Sequence, residues 1–191
     1  MRNYHLIQRI NVKRIILNTE PGFEYEESSF KNDIAILKLS LPLKFNKQVQ
    51  PACLPPKTWF PKDGKEDCYV SGWGALAVPP NGPIPYPEEL QWLKQNIIAN
   101  EKCQNLWYKY TIHDSNICGM HKDGIGKAPC FGDSGGSLVC GDDKNRAVIT
   151  GIVSYGQDKC VGKALPEVYT RVTHYLSWIQ KNMENTWSRI F

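Results

Sequence analysis

Residues 130–138 read CFGDSGGSL and carry the strongest chemical signal in the sequence. Glycines on both sides of Ser134 allow a tight, open backbone, in which the serine hydroxyl is exposed and amide N–H groups converge on a developing oxyanion. The same letters are also typical of a glycine-rich hairpin turn, which is the better interpretation of the stretch taken alone. The surrounding sequence therefore has to decide between a nucleophile and a turn.

A second interpretation of the stretch is the nucleophile elbow of α/β-hydrolases. Residues 132–136 fit the G-x-S-x-G pattern, and acids at Asp158 and Glu167 and then His174 follow in the order which that fold uses. An elbow needs a buried strand before the serine and a helix after it. Here the loop-forming residues 124–129 precede the serine, and two glycines and a short apolar run follow it. This context argues against the elbow.

Apolar runs of strand length recur along the chain with turn residues between them, while helical periodicity is scarce. This pattern predicts an all-β fold. Two helices are predicted, a short one that begins at Asn100 and a C-terminal one over 173–183. The stretch 79–87 holds five prolines and predicts a surface loop. The clearest strands are 34–39, 68–73, 90–98 and 147–155.

Composition excludes several classes of partner. Charged residues make up 22% of the chain, the net charge is +4, and the basic residues are scattered rather than clustered. We therefore expect no nucleic-acid partner. No apolar run approaches the roughly 20 residues that span a bilayer, so we expect no membrane segment in this chain. The N-terminal residues are mixed and polar, and no signal peptide is visible.

The seven cysteines contain no C-x-x-C pair, so the usual zinc and redox spacings are missing. We expect neither a metal nor a cofactor. The wide, irregular spacing favours a disulfide framework and hence a secreted or extracellular protein. Secretion and the lack of a visible signal peptide agree if a secreted ancestor has lost its N-terminal part. An odd number of cysteines fits this explanation, because the partner of one cysteine would have lain in the lost segment.

Several separated motifs occur in the order found in trypsin/chymotrypsin-like serine proteases (peptidase S1 type). The resemblance covers about residues 12–179 and is specific because the motifs form an ordered set. It implies a double six-stranded β-barrel, with the first barrel incomplete here, and a C-terminal helix. The motifs resemble the triad-aspartate segment at 32–39, the strand opening the second barrel at 70–74, the nucleophile at 133–136, the substrate-pairing strand at 154–156, and the closing strand and helix at 168–172 and 178–179.

The resemblance implies one peptidase S1-like domain over residues 1–191. Residues 12–60 would be the remnant of the first barrel and residues 67–172 the second barrel. The C-terminal helix would occupy 173–183, followed by a loose tail over 184–191. Because the first barrel lacks its opening strands, we expect exposed strand edges in that half.

The family mechanism carries over to the residues that this chain has. Ser134 would attack the scissile carbonyl, the N–H groups of Gly132 and Ser134 would bind the oxyanion, and Asp33 would orient the general base. The Ala-Ala-His-Cys segment that bears the base in the family is missing from the sequence. His5 is the only histidine before Asp33, and its context fits an exposed N-terminal residue better than a base.

Asp133 adds a second departure from the family pattern. In the family this aspartate receives the N-terminal ammonium that proteolytic activation creates, but no activation sequence of the Arg-Ile-Val-Gly-Gly kind is present. We therefore expect Asp133 to lack its usual partner. Loss of a triad member leaves at best about 10³ to 10⁴-fold catalysis over water. The chain is predicted to be non-catalytic as it stands.

The resemblance also implies a set of substrate-binding residues. Ala128 stands where trypsin-like members have an aspartate, Pro129 lies beside it, and Glu167 replaces a glycine of the pocket wall. Three alternatives stay open for Glu167: it fills the pocket, it offers a carboxylate to a basic side chain, or it turns towards solvent. Ser154, Tyr155 and Gly156 would form the strand that pairs with an extended peptide. Phe131 completes the predicted set.

The resemblance selects one disulfide pairing of the 15 that six cysteines allow. It implies three bridges and leaves Cys53 unpaired. The bridges are Cys68 with Cys140, Cys103 with Cys118, and Cys130 with Cys160.

Three functions stay open at this point. The first is a non-catalytic serine protease homologue that binds a peptide, a protein substrate or another protein ligand. The second is an incomplete version of an active serine endopeptidase whose N-terminal part supplies the histidine. The third, an unrelated disulfide-linked β-domain used for binding, is disfavoured by the ordered motifs.

Overall fold

The computed structural model describes residues 7–61, 67–121, 127–144, 146–157, 160 and 165–187, with side chains up to Met183 in the last range. Its described part confirms the all-β prediction. The strands are β1 (Val12–Leu17), β2 (Ala35–Leu39), β3 (Cys68–Gly72), β4 (Gln91–Ile98), β5 (Asn116–Met120), β6 (Ser137–Gly141), β7 (Ala147–Tyr155) and β8 (Glu167–Arg171), and the helices are α1 (Asn100–Leu106) and α2 (Leu176–Trp187), which a 3₁₀ turn (Val172–Tyr175) precedes.

Six antiparallel strands close into a barrel in the order β3-β4-β5-β8-β7-β6. Closure gives every strand of the barrel a neighbour on each side, although β7 extends past the end of β6, and alternate side chains fill the interior. The interior contains an apolar cluster in which every member is almost completely buried, which makes it the principal core of the molecule. Its members include Val70, Ile97, Ile117, Leu138, Val148 and Tyr169.

Three disulfides fasten this barrel. Cys68–Cys140 joins directly opposed positions of β3 and β6, Cys103–Cys118 joins α1 to β5, and Cys130–Cys160 joins the loop before Ser134 to the segment after β7. These are the pairs that the family resemblance implies. Cys53 is a free, exposed thiol. In the chain-entropy account, the 15-residue separation of Cys103 and Cys118 corresponds to about 3 kcal/mol of stability.

The other sheet has two strands, β1 and β2, in antiparallel register. Ile15 lies opposite Leu37, so the two side chains share one face. They are 61% and 57% exposed, and Leu17 beside them is also 61% exposed. In the described part of the first half, an apolar face is therefore left uncovered, as the prediction of an incomplete first barrel requires.

Element boundaries differ from prediction at the C-terminus. The α-helix begins at Leu176 rather than 173, because residues 172–175 form the tighter 3₁₀ turn. The prediction of a loose tail from 184 was wrong for residues 184–187, which are helical. No proline or glycine interrupts that stretch, so the helix continues. Residues 188–191 lie outside the described part.

No helix in the described ranges is both long enough and apolar enough to cross a membrane.

Candidate active site

The nucleophile turn is a loop followed by a strand, which agrees with the rejection of the hydrolase elbow. Ser134 is exposed, and β6 begins three residues after it. Gly132 and Gly135 have φ of +100° and +79°, which only glycine adopts without strain. The Gly135 N–H donates to the Val153 carbonyl (3.0 Å), and the Val153 N–H donates to the Gly136 carbonyl (2.8 Å). These two bonds fix the turn against β7.

The Asp133 side chain fixes the same turn through hydrogen bonds to two backbone amides. Its Oδ1 accepts a hydrogen bond from the Gly74 N–H (2.8 Å), and its Oδ2 accepts one from the Cys130 N–H (2.9 Å). A side chain at Gly72 or Gly74 would overlap the Asp133 carboxylate, which explains the glycines there. Asp133, expected to lack its usual partner, thus has two backbone donors. Hydrogen bonds from amides to a charged acceptor are among the stronger ones in proteins.

The two predicted oxyanion donors are accessible. Gly132 and Ser134 are both exposed, and their N–H groups donate to no acceptor among the described residues. The intervening backbone is held in place because the Ala75 N–H donates to the Phe131 carbonyl (2.9 Å). The two N–H groups are therefore without a backbone acceptor in the described part of the chain, and their role as oxyanion donors stays a prediction.

Asp33 is joined to β7, the strand that also holds the nucleophile turn. The Ser154 hydroxyl donates to Asp33 Oδ2 (2.7 Å), and the Thr170 hydroxyl donates to the Asp33 carbonyl (2.8 Å). The preceding Asn32 has a positive φ of 59° and accepts a hydrogen bond from the Tyr175 hydroxyl (2.7 Å). Sequence reasoning predicted Ser154 as a residue that pairs with substrate, and did not predict its bond to Asp33.

A cleft of about 490 Å³ opens beside Ser134. Ala128, predicted for its floor, lines instead a neighbouring cavity of about 410 Å³, together with Asp133. The structure therefore brings together most of the predicted substrate-binding residues. Those lining the cleft are Pro129, Phe131, Ser134, Ser154, Tyr155, Gly156 and Glu167.

Glu167 is the unusual member of this lining. It is 6% exposed, which removes the solvent-facing alternative. Its carboxyl lies against the backbone of Gly156, where an added Cβ would overlap Glu167 Oε2. Burial raises the pKa of Glu167 to about 8, although a hydrogen bond from the Gln157 backbone acts in the opposite direction. Desolvation disfavours the charged form, so the acid is mostly protonated at neutral pH.

Comparison with known proteins agrees with this geometry. The sequence profile described as Trypsin matches residues 3–179. The chain belongs to the trypsin family. It is 38% identical to human kallikrein-15 over 171 residues, which are 86% of this chain and 63% of that protein. The corresponding values are 39% over 155 residues for human testisin (79% and 48%) and 41% over 157 residues for rat transmembrane protease serine 11G (82% and 36%). The chain thus spans less than two thirds of the length of these relatives.

The histidines of this trypsin-family chain do not complete the site within the described residues. His113 lies before β5, where its backbone N–H donates to Asn116 Oδ1, and His174 packs against the rings of Phe23 and Tyr175. His121 directly follows β5. None of these three histidines lines the cleft of Ser134. His5 lies outside the described residues.

The trypsin-family cleft also has an aromatic wall that sequence reasoning missed. Phe30 stacks on Tyr155 with ring centroids 5.0 Å apart, and Trp107 and Tyr110 approach Tyr155 at 5.7 and 5.9 Å. Burial raises the pKa of Tyr155 to about 12. The aromatic letters at 107–110 were the available signal, but a sequence does not show which loop folds over which strand.

Proposed function

We propose that this trypsin-family chain binds an extended peptide in the Ser134 cleft and has negligible peptidase activity on its own. The observation that carries the proposal is that Asp33 Oδ2 accepts the Ser154 hydroxyl while no histidine of the described ranges lines the cleft. A serine hydroxyl is a weak nucleophile at neutral pH unless a base takes its proton. We retain the division into residues 12–60 and 67–172 as part of this proposal.

Peptide binding is supported by the end of β7. β6 pairs with β7 only as far as Ile152, so residues 154–156 have a free edge along the cleft. An extended peptide adds to such an edge through its main chain. Ser134 lines the same cleft, and its N–H group, like that of the nearby Gly132, donates to no acceptor among the described residues, which supports binding of a peptide carbonyl there. Binding therefore does not depend on a catalytic base.

The test uses the full chain, purified under oxidising conditions. We expect no stoichiometric labelling of Ser134 by a phosphonofluoridate-type active-serine probe, no turnover of a mixed peptide library, and saturable binding of peptide aldehydes. Labelling together with turnover that Ser134→Ala abolishes would show that a base has been recruited, and His5→Ala would then test that residue. Absence of saturable binding would overturn the peptide-binding function.

A second candidate is that the chain is part of an active, secreted serine endopeptidase. The observation that favours it is the greater length of the relatives, of which the chain covers 36% to 63%. The three disulfides support an oxidising compartment for either candidate. The test is the transcript sequence upstream of Met1, where an Ala-His-Cys segment with a signal peptide would establish this candidate.

A further inference from the structure

The segment that follows β7 has little backbone pairing of its own. β7 pairs with β8 as far as Tyr155 and with β6 only as far as Ile152. Gly156 and Gln157 lie beyond these last pairs. In the described part of the chain, the one backbone–backbone hydrogen bond of Gln157 runs from the Cys160 N–H to its carbonyl (3.0 Å). The end of the strand that would hold a peptide therefore needs support from elsewhere.

The Glu167 side chain supplies that support. Glu167 is the first residue of β8, and it is buried. Its carboxyl accepts a hydrogen bond from the Gln157 backbone N–H, and it lies so close to Gly156 that an added Cβ there would overlap Glu167 Oε2. A side chain rather than a neighbouring strand thus holds both residues. Without this acceptor, the Gln157 N–H would open to solvent more often.

The contact depends on the protonation state of Glu167. Burial raises the pKa of Glu167 to about 8, and the hydrogen bond from Gln157, which favours the charged form, offsets only part of the rise. The closed arrangement therefore favours the neutral acid over the carboxylate. By linkage, ionisation favours arrangements in which the carboxylate reaches water. Displacement of Gly156 and Gln157, which lie against the carboxyl, exposes it to the water of the cleft.

The neighbouring titratable groups in the described ranges behave differently from Glu167. Burial raises the pKa of Tyr155 to about 12 and that of Tyr169 well above its ordinary value, so both stay protonated at pH 9. Asp133, on the nucleophile turn, is bonded to two backbone amides. No salt bridge between described residues joins Glu167 to a lysine or arginine. A titration of the cleft between pH 7 and pH 9 therefore belongs to Glu167.

We propose that Glu167 is a positioning residue for the peptide-binding strand: its neutral carboxyl holds Gly156 and Gln157 in place, and its ionisation releases them. The cleft then binds an extended peptide well in neutral solution and loses affinity as the solution becomes alkaline. This inference rests on the peptide-binding function proposed above. It concerns the main chain of the peptide and requires no particular side chain.

The first experiment measures the affinity of the oxidised full chain for N-acetyl-tetraalanine amide, which has no titratable group. Between pH 7 and pH 9 the neutral fraction of Glu167 falls from about nine tenths to about one tenth, so we expect about 10-fold weaker binding at pH 9. Glu167→Gln keeps a carbonyl acceptor and does not titrate, so its affinity should differ by less than about 2-fold between the two pH values. Glu167→Met keeps the length without an acceptor and should bind at least about 5-fold more weakly than Glu167→Gln at pH 7.

A second measurement follows the contact without a peptide. Amide exchange by NMR, expressed as protection factors, removes the intrinsic effect of pH on exchange. The Gln157 N–H should lose about 10-fold of its protection between pH 7 and pH 9 in the unmodified chain and keep its protection in Glu167→Gln. The Val153 N–H, which donates to the Gly136 carbonyl (2.8 Å), should stay more protected than that of Gln157 in every protein, which shows that the barrel is folded.

The outcomes separate this inference from the function beneath it. If the peptide binds the unmodified chain equally at both pH values, or if Glu167→Gln loses affinity to the same extent, the positioning role is wrong and peptide binding stands. Glu167→Met, which also does not titrate, replaces Glu167→Gln in this test if the latter does not fold. If the peptide binds saturably at neither pH, the peptide-binding function falls, and the exchange of the Gln157 N–H decides whether Glu167 holds the strand.

Discussion

Ile117 in the barrel and Ile15 in the two-stranded sheet are the same residue type on antiparallel strands, but Ile117 is completely buried and Ile15 is 61% exposed. The local sequence does not account for the difference. The barrel strand has neighbours on both edges and a filled interior, whereas β2 is the only strand that pairs with β1 within the described residues. An apolar strand face contributes to stability only when a second layer covers it.

The strongest test of this comparison is a matched pair of truncations. Ile117→Ala removes a fully buried side chain of the barrel core, and we expect it to lower the free energy of unfolding by about 4 kcal/mol. Ile15→Ala removes the same atoms from an exposed face, and we expect a change within about 0.5 kcal/mol. Urea denaturation of both variants measures the two values.

The contrast between the two sheets would be wrong if Ile15→Ala lowered the free energy of unfolding as much as Ile117→Ala, since β1 would then belong to a packed core in solution. Identical m-values for the two variants would show that both were measured against a similar unfolded state.

A smaller change in the free energy of unfolding is expected from pH, because the pKa values of acids in the two regions shift in opposite directions. Burial in the barrel raises the pKa of Glu167, whereas hydrogen bonds from Ser29 and Ser28 lower the pKa of the exposed Glu26. A carboxyl whose folded pKa is raised disfavours the folded state once it must ionise. Its penalty grows as pH rises from the unfolded pKa to the folded value of about 8.

We therefore expect the free energy of unfolding to fall by about 2 kcal/mol between pH 6 and pH 8 through Glu167 alone. Glu167→Gln removes this contribution and leaves the titration of all other groups in place. Denaturation curves of both proteins at several pH values give the difference. Parallel pH profiles for the two proteins would mean that Glu167 is not held in its neutral form.

The smallest effect on stability is expected at the uncovered face itself. Leu37→Lys places a charge on a side chain that is 57% exposed, so the free energy of unfolding should change by less than about 0.5 kcal/mol. Self-association should decrease instead, because exposed apolar patches promote it. Light scattering over a concentration series measures this, with Leu17→Lys as the matched variant. A loss of stability above about 1 kcal/mol would show that this face is covered.

Several strands were predictable because each is an apolar run of strand length within its own short stretch of sequence. β4 and β7 lie within the predicted runs 90–98 and 147–155, and β3 matches the predicted run except at its end. β1 and β5 were not among the clear strands. β5 is only five residues long, and four of them are buried on both faces, so it shows no polar and apolar alternation.

In the candidate site, too, some features follow from a short stretch of sequence and others depend on the tertiary fold. Ser134 and its flanking glycines form one short motif whose geometry follows from the letters. The bonds of Asp133 to the Gly74 and Cys130 amides, and of Ser154 to Asp33, depend on which segments the barrel brings together. The direction of Glu167 was likewise open in sequence, since a side chain at a strand end can face either the cleft or the solvent.

The hydrogen bonds around Asp33 also set the earliest moment during synthesis at which the site can form. They join residues 121, 137 and 143 positions apart, linking Asp33 to Ser154 and Thr170, and Asn32 to Tyr175. Translation proceeds at about 5–20 residues per second, so the segment around residue 33 waits roughly 7–30 s for its last partner to leave the ribosome. These bonds can form only after Thr170 and Tyr175 have left the ribosome, and a ribosome-bound nascent chain that stops before Thr170 would carry both the aspartate and the serine without them.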